Sequence, residues 1–574
     1  MTKSKWQLLL SMFAIFAVLA FAAACGDDDD DDDDGGDTAT ATTSSGGSTT
    51  PTAAKPSGTI TIGATQFENW DPHFSDFAAD ISHMVYVWRG LYHLDLQDKP
   101  QPAMAAGAPT VSADGKTYTV KLKSGLKWSD GQALTAKDFV LGIQRTCNPD
   151  NAGHYQYILT NIVGCDDYYG AGKETAEKKA ELLKAVGVKA VDDSTIEIKL
   201  QNAQPTFATL LAMWPTFPVP SHKIATPDAK WLGPLENVYN GPYMPKAYTE
   251  KASLELVPNP NWSGTQVGAE KIVIKYVDDP AVLNQAYRAG EVDASVANKA
   301  ELDKLKSEFT ASKELQLYPA TRTIGIEFNM ADPVLSKPEV RVALSQATDR
   351  ATMMKVVFKD ANTATTNWVP PTRNGLKGGE YDATLGFDAA KAKASLAKAG
   401  YADGKGFPKI TMIQTDSATN KLAGDFLTAE WKKHLGIDLE VQYVDSKTRQ
   451  SAFNTKQYQL VLGGWQEDYP DPENWFVGLW ETGGSINKTN TSIAALDKAI
   501  NDAKYNTNDE ARRKLYRDAE KLLLDQASGI APLYHTMAAF LVKSHIKGMV
   551  ENKRPADTFV PGDWYIELWT TSKK

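Results

Sequence analysis

Short runs of alternating polar and apolar residues recur along this chain, and each reads as a half-buried strand. Thr59-Ile60-Thr61-Ile62-Gly63 is the first. Residues 117–122 follow the turn-forming pair Asp114-Gly115, 195–200 follow Asp192-Asp193-Ser194, and 271–276 repeat the pattern. Between these runs the spacing predicts helices over 280–290, 388–400 and 510–526, each with a glycine at or just past its end. In the last of them Asp509 is placed to cap the first turn, and Leu515, Ala519, Leu522 and Leu523 share one face. Alternating strands and helices predict an α/β fold. A length of 574 residues exceeds one ordinary domain, so two lobes or more are expected.

The N-terminal segment stands apart from this pattern. Lys3 and Lys5 precede an apolar run over 8–24 that ends at Cys25, the arrangement of a secretion signal. Phe21-Ala22-Ala23-Ala24-Cys25 resembles the bacterial lipoprotein signal, departing from it where Ala22 replaces the preferred leucine. That resemblance implies removal of residues 1–24 and lipidation of Cys25. An uncleaved single-span anchor and a free Cys25 are the alternatives, and the run is short for a stable span. Residues 27–34 are all aspartate and carry most of the net charge of -10. With the Gly/Ser/Thr-rich stretch up to Pro56 they make residues 25–56 a disordered tether, extended by like-charge repulsion. The folded remainder is then only mildly acidic, which excludes a nucleic-acid footprint. The tract also lacks the spacing of a calcium loop.

With Cys25 assigned to the anchor, Cys147 and Cys165 remain as a pair in an exported, oxidising setting. A disulfide is the natural reading, and two buried free thiols are the alternative.

Tests for catalytic spacing fail. The eight histidines never fall at the i, i+4 spacing of a helical metal site, no cysteine pair has zinc spacing, and no G-x-S-x-G elbow occurs. Gly400 to Gly406 has the wrong spacing for a phosphate loop and reads as a helix end and turn. Glu467 and Asp468 are neighbours on one short loop, which does not flank a sugar bond from both sides. No enzyme activity, metal or cofactor is expected.

One constellation is informative. Residues 458–462 read as a strand ended by Gly463-Gly464, 465–470 as a loop, and Asp471-Pro472-Glu473 as an N-cap, a proline at the first helical position and an acidic first turn. Asp468 therefore sits on a strand-to-helix loop, where open α/β sheets bind ligands. Trp465 offers a flat apolar wall and Asp468 a fixed charge; capping or packing is the alternative role for both.

A series of fragments resembles a known family in collinear order: Asn69-Trp70-Asp71-Pro72-His73, Arg89-Gly90-Leu91-Tyr92, Lys127-Trp128-Ser129-Asp130-Gly131, Asn240-Gly241-Pro242-Tyr243, Asn259-Pro260-Asn261-Trp262, Ala289-Gly290-Glu291-Val292-Asp293 and Gly464-Trp465 through Asp468-Tyr469-Pro470. They are similar to the oligopeptide/dipeptide-type extracellular solute-binding proteins, family 5, of ABC transporters. The resemblance implies a two-lobed periplasmic-binding-protein-like clamp of type II, of the large class with an extra subdomain. It places lobe 1 at 57–321, including the extra subdomain at about 96–221 and completed by 530–574, and lobe 2 at 322–529. It further implies that Asp468 receives a peptide's α-ammonium group beside Trp465 and Tyr469, that Asp76 faces the ligand, and that Tyr155 belongs to the peptide-binding subtype. Leu462 replaces an arginine of some relatives, which puts capture of the peptide's carboxyl end by that route in doubt. The expected partners are a peptide, the permease subunits of an importer and the membrane through a lipid anchor. The expected state is a monomer on the outer face of the cytoplasmic membrane or in the periplasm. Nickel-chelate, haem or oligosaccharide capture and a peptide-signal receptor are the other roles open to the family.

Overall fold

The computed structural model describes residues 55–573 apart from 76, 152 and 375–377. The expectations for Cys25, the tether and Asp76 lie outside the described residues.

One large mixed sheet organises the chain. Its strands are β1 (Thr59–Ala64), β2 (Tyr243–Thr249), β3 (Ser253–Pro258), β4 (Lys271–Tyr276), β5 (Ala294–Val296), β6 (Leu315–Phe328), β7 (Asn362–Ala364), β8 (Ile410–Thr415), β9 (Leu439–Val444), β10 (Leu460–Gln466) and β11 (Ile530–Val542). They lie in the order β9-β8-β10-β6-β11-β5-β1-β4-β3-β2, with β7 alongside β11. The polar and apolar alternation read from the sequence does what the pleat requires: in β4, Ile272 and Ile274 are fully buried while Lys271, Val273 and Lys275 are only half covered.

Two long antiparallel strands cross the middle of this sheet. β6 pairs with β11 from Leu315↔Leu541 to Pro319↔Met537, loses register, and resumes at Thr323↔His535. Pro319 has no amide hydrogen to donate, so a break in the ladder at this place is expected. On one side of the break β11 pairs with β5, and on the other β6 pairs with β10. Each long strand is thus shared by two halves of the molecule.

Residues 110–199 contribute a separate four-stranded antiparallel sheet, formed by Thr110–Val111, Thr117–Lys121, Val188–Asp192 and Thr195–Lys199. The helix Ala136–Thr146 starts with a capping box between Thr135 and Asp138 and ends at Cys147. Cys147 and Cys165 form a disulfide, their Cα atoms 5.2 Å apart. The loop it closes contains a 3-10 turn, His154–Leu159, that carries Tyr155 and Tyr157.

Two local expectations change. The helix near the C-terminus spans Asp509–Leu524 and is capped by Asn508, whose side chain accepts from the Ala511 amide. Its buried residues are Arg512, Tyr516, Ala519, Glu520, Leu523 and Leu524, whereas Leu522 lies about 100° from the middle of that face and is exposed. The second change concerns Gly463-Gly464, which does not end its strand. β10 runs through both glycines to Gln466, with Gly464 opposite Ile324 and Trp465 opposite Thr323. A Cβ at Gly464 would lie 1.9 Å from the Thr323 carbonyl oxygen, and one at Gly463 would lie 2.6 Å from the Glu327 carboxylate. The glycines let two strands approach; they do not terminate one.

Candidate ligand-binding cleft

Continuation of β10 puts Trp465 on the strand and Asp468 two residues past its end. The chain then turns through Asp471, whose side chain accepts from the Glu473 amide at 2.8 Å, into a single 3-10 turn, Pro472–Trp475. That turn carries Asn474, which organises the loop. Its Oδ1 accepts from Trp465 Nε1 and from the Asp468 amide, both at 2.9 Å, and its Nδ2 donates to Asp468 Oδ2 at 3.2 Å.

The remaining partners of Asp468 come from the disulfide-closed loop. Tyr155 donates to Oδ1 at 3.2 Å and Tyr157 to Oδ2 at 3.4 Å. Tyr155 stacks on Trp465 with ring centroids 6.5 Å apart and meets Trp214 edge-on at 4.7 Å. Asp468 is therefore half-buried among neutral donors and rings, with no cationic partner among the described residues. Burial pushes its carboxyl up to about 7, against the hydrogen bonds from Asn474, Tyr155 and Tyr157 that favour the ionised form, and the charge of Glu467 adds to the rise.

Glu467, the adjacent acid, lines the same small cavity as Asp468 but has different partners. It pairs with Arg373 at 2.7 Å and accepts from Trp475 Nε1, and Arg373 also holds Asp98 at 2.9 Å. The two acids are separated by role: one is matched with a cation and the other is not.

A cavity of about 140 Å³ opens over Asp468, Tyr155, Trp214 and Trp465. It shares Ala78, Gln466 and Thr558 as lining residues with a neighbouring cavity of about 660 Å³ that lies along the crossing strands. The larger space is walled by Val296 and Lys299 on one half, by Gln414 and Arg449 on the other, and by Arg322 of β6 and Tyr534 of β11 between them. It is a cleft between halves.

Asp468 and Trp465, expected together on one loop, are thus joined by the distant Tyr155. Tyr469 is not among them: it is 1% exposed, lines no part of this cleft, and its hydroxyl lies 3.4 Å from Glu473 in the core behind the loop. Strand alternation past β10 turns it inward while Asp468 turns out. Tyr157 belongs to the stretch 155–159 that resembles the peptide-binding subtype but was given no role of its own, and Asn474 and Trp214 were missed by sequence reasoning. Of these two, Asn474 had a local signal, since an amide one turn beyond an Asx-Pro start is well placed to hold the preceding loop.

Residues 99–487 match the family described as bacterial extracellular solute-binding proteins, family 5 Middle. The oligopeptide-binding protein OppA of Bacillus subtilis is 28% identical over 474 residues, covering 81% of this chain and 85% of that protein. A probable deoxycholate-binding periplasmic protein of Escherichia coli, YgiS, is 29% identical over 486 residues, covering 84% and 88%. Among solved structures, the murein tripeptide binding protein MppA of Escherichia coli superposes with a TM-score of 0.79 at 25% identity, over 90% of this chain and 99% of its own. The likeness fixes the architecture as a two-lobed α/β binding-protein fold of type II. Because the family match runs over more than half of the sequence and the fold agrees over nine tenths of it, the chain belongs to the bacterial extracellular solute-binding proteins of family 5.

Proposed function

We propose that this protein captures extracellular peptides between its lobes and delivers them, chemically unchanged, to the permease of an ABC importer. The observation that carries the reading is Asp468: a half-buried carboxylate lining a cleft, supplied with neutral donors and lacking a cation among the described residues. A peptide's α-ammonium group fits that deficit, while Trp465, Tyr155 and Trp214 give apolar walls that accept many side chains. The oligopeptide-binding relative supports this choice. The relative YgiS is described as a probable deoxycholate-binding protein; an anion of that kind placed beside Asp468 here would meet its own sign of charge.

In this reading residues 57–321 with 530–574 form lobe 1, residues 322–529 form lobe 2, and about 96–221 is the added subdomain. The register break between β6 and β11 supports a hinge there. Cys25 carries the lipid anchor, Asp76 faces the ligand, and the protein works as a monomer on the outer face of the cytoplasmic membrane.

The test is to denature protein purified from cells and identify what is released by mass spectrometry. Short peptides with free amino termini are expected. Release of a bile acid, haem, nickel chelate or oligosaccharide with no peptide would contradict the proposal.

A further inference from the structure

We propose that Asp557 and Asp563 share a single proton and that this proton clasps the loop 554–563 against the crossing strands, so that the loop is released more easily as pH rises. The clasp stands on its own geometry; its effect on binding rests on the reading of the cleft as the ligand site.

The loop folds back on itself through its two acids. Asp557 Oδ2 accepts from the amides of Arg554 at 2.7 Å and Gly562 at 2.8 Å. Asp563 Oδ2 accepts from the amides of Thr558 at 3.0 Å and Phe559 at 3.2 Å. Each acid thus holds an amide next in sequence to the other acid, which sets the two carboxyls side by side. Asp563 is fully buried and Asp557 is 6% exposed. In both, Oδ2 is occupied while Oδ1 is buried and has no donor among the described residues. One proton held between the carboxyls satisfies both oxygens, because a protonated carboxyl donates where an ionised one only accepts. Asp557 is indeed a hydrogen-bond partner of the Asp563 carboxyl.

The groups packed around the pair leave that proton in place. Arg554 directs its guanidinium to Asp98 at 2.9 Å and lies over Trp564; among the described residues neither Asp557 nor Asp563 forms an ion pair, with Arg554 or with Arg322 of the shared cavity. The helix Ala78–Val87 presents Ser82, His83 and Tyr86. Ser82 donates to Asp563 Oδ2 at 3.3 Å, and burial holds the His83 ring down to about 4, which keeps it neutral. The Tyr86 hydroxyl is pushed up by burial and by the charges of Asp563 and Asp557. From β6, Tyr318 donates to Asp557 Oδ2 at 3.1 Å, with the Lys553 ammonium over its ring at 5.7 Å. Burial, and then the charge of Asp563, pushes the Asp557 carboxyl well above the usual carboxylate range. Ionising both would bury two like charges side by side.

The clasped loop touches both halves of the molecule. The Pro555 carbonyl accepts from the Thr321 amide at 3.1 Å, inside the register break between β6 and β11. The Ala556 carbonyl accepts from Gln466 Nε2 of β10 at 3.0 Å. Ala556 and Thr558 line the cavity over Asp468, and Asp557 and Thr558 line the larger one. Releasing the loop therefore removes one contact at the break and another on the strand that carries Trp465. The clasped loop binds one proton more than the released loop. Release should then gain about tenfold per pH unit from roughly pH 5 upward, and level off once the clasp itself loses the proton.

Hydrogen exchange of the ligand-free, full-length protein from pH 5 to 9 reads this, with protection expressed relative to the unfolded chain at each pH. In wild type, protection of the amides in 554–563 should fall by up to about tenfold per pH unit. Asp557→Asn and Asp563→Asn each put a permanent amide donor where the shared proton lies, and should hold protection nearly flat. Infrared spectra at pH 7 should show one protonated carboxyl fewer in either variant than in wild type. Flat protection in wild type, equal pH dependence in wild type and a folded asparagine variant, or no lost carboxyl band would overturn the clasp. A pool of tri- to hexapeptides with free amino termini, offered at pH 6 and 9, tests the link to binding: relative to wild type, Asp557→Asn should retain severalfold more peptide at pH 9 than at pH 6. A constant ratio would overturn that link. Retention of no peptide by wild type at either pH would sink the peptide reading, while exchange and infrared spectra still decide the clasp.

Discussion

Tyr155 donates to Asp468 across 3.2 Å, joining two loops that lie 313 residues apart in the chain. One loop is closed by the Cys147–Cys165 disulfide and the other hangs from the end of β10. Neither has a lone role: the first supplies phenolic donors and rings, the second a carboxylate that needs them. These donors support a charge that burial opposes, and the balance leaves the carboxyl raised to about 7.

That balance gives binding a pH dependence of known sign. A ligand ammonium favours ionised Asp468, so affinity should rise as pH rises toward about 7 and flatten above it, until the ligand's own amine begins to lose its proton near about 8. Below 7 the loss should approach about tenfold per pH unit. Tyr155→Phe removes a donor to the carboxylate and should move the midpoint upward. For the empty protein the effect on stability is opposite: a carboxyl raised from 3.8 in the unfolded chain costs stability as pH climbs through that window. Calorimetry of one peptide from pH 5 to 8 reads the first effect, and a flat profile would count against ionised Asp468 as the anchor.

The disulfide should stabilise both the fold and the site. Closing a loop with a sequence separation of 18 contributes roughly 3 kcal/mol in the chain-entropy model. Cys147→Ser with Cys165→Ser should therefore melt earlier and also bind peptide more weakly, since Tyr155 and Tyr157 ride on that loop. Intact-mass measurement of the unreduced protein should show two hydrogens fewer than the reduced form; equal masses would refute the bond.

Much of the fold was legible because period-two alternation survives wherever one face of a strand is buried. β1 and β4 lie where the pattern placed them, and the helix expected over 388–400 spans Ala389–Lys398, with Asp388 as its cap instead of its first residue. Gly463-Gly464 misled for a physical reason: glycine marks a chain reversal and a close backbone approach equally well, and only the neighbouring strand decides between them. Tyr469 misled similarly, since a residue next to a site residue on an extended segment points the other way.

Gly464 provides a direct check on that account. With a Cβ 1.9 Å from the Thr323 carbonyl oxygen, Gly464→Ala must separate β10 from β6. It should cost about 1–3 kcal/mol or more in denaturant unfolding, as overpacking does, and should weaken binding by displacing Trp465. An alanine variant as stable as wild type would mean that the strands are not paired at this register.

The central claim is that Asp468 anchors a peptide's free α-ammonium group, and calorimetry with one bound peptide in free and N-acetylated form, against wild type and Asp468→Ala, tests it most directly. Losing one partner of an enclosed charge pair costs about 2–5 kcal/mol, roughly thirtyfold to several-thousandfold in affinity. Acetylation should cost wild type that much and cost Asp468→Ala far less, because the partner is already gone. Wild type binding both forms equally, or Asp468→Ala holding the free peptide as tightly as wild type, would contradict the account.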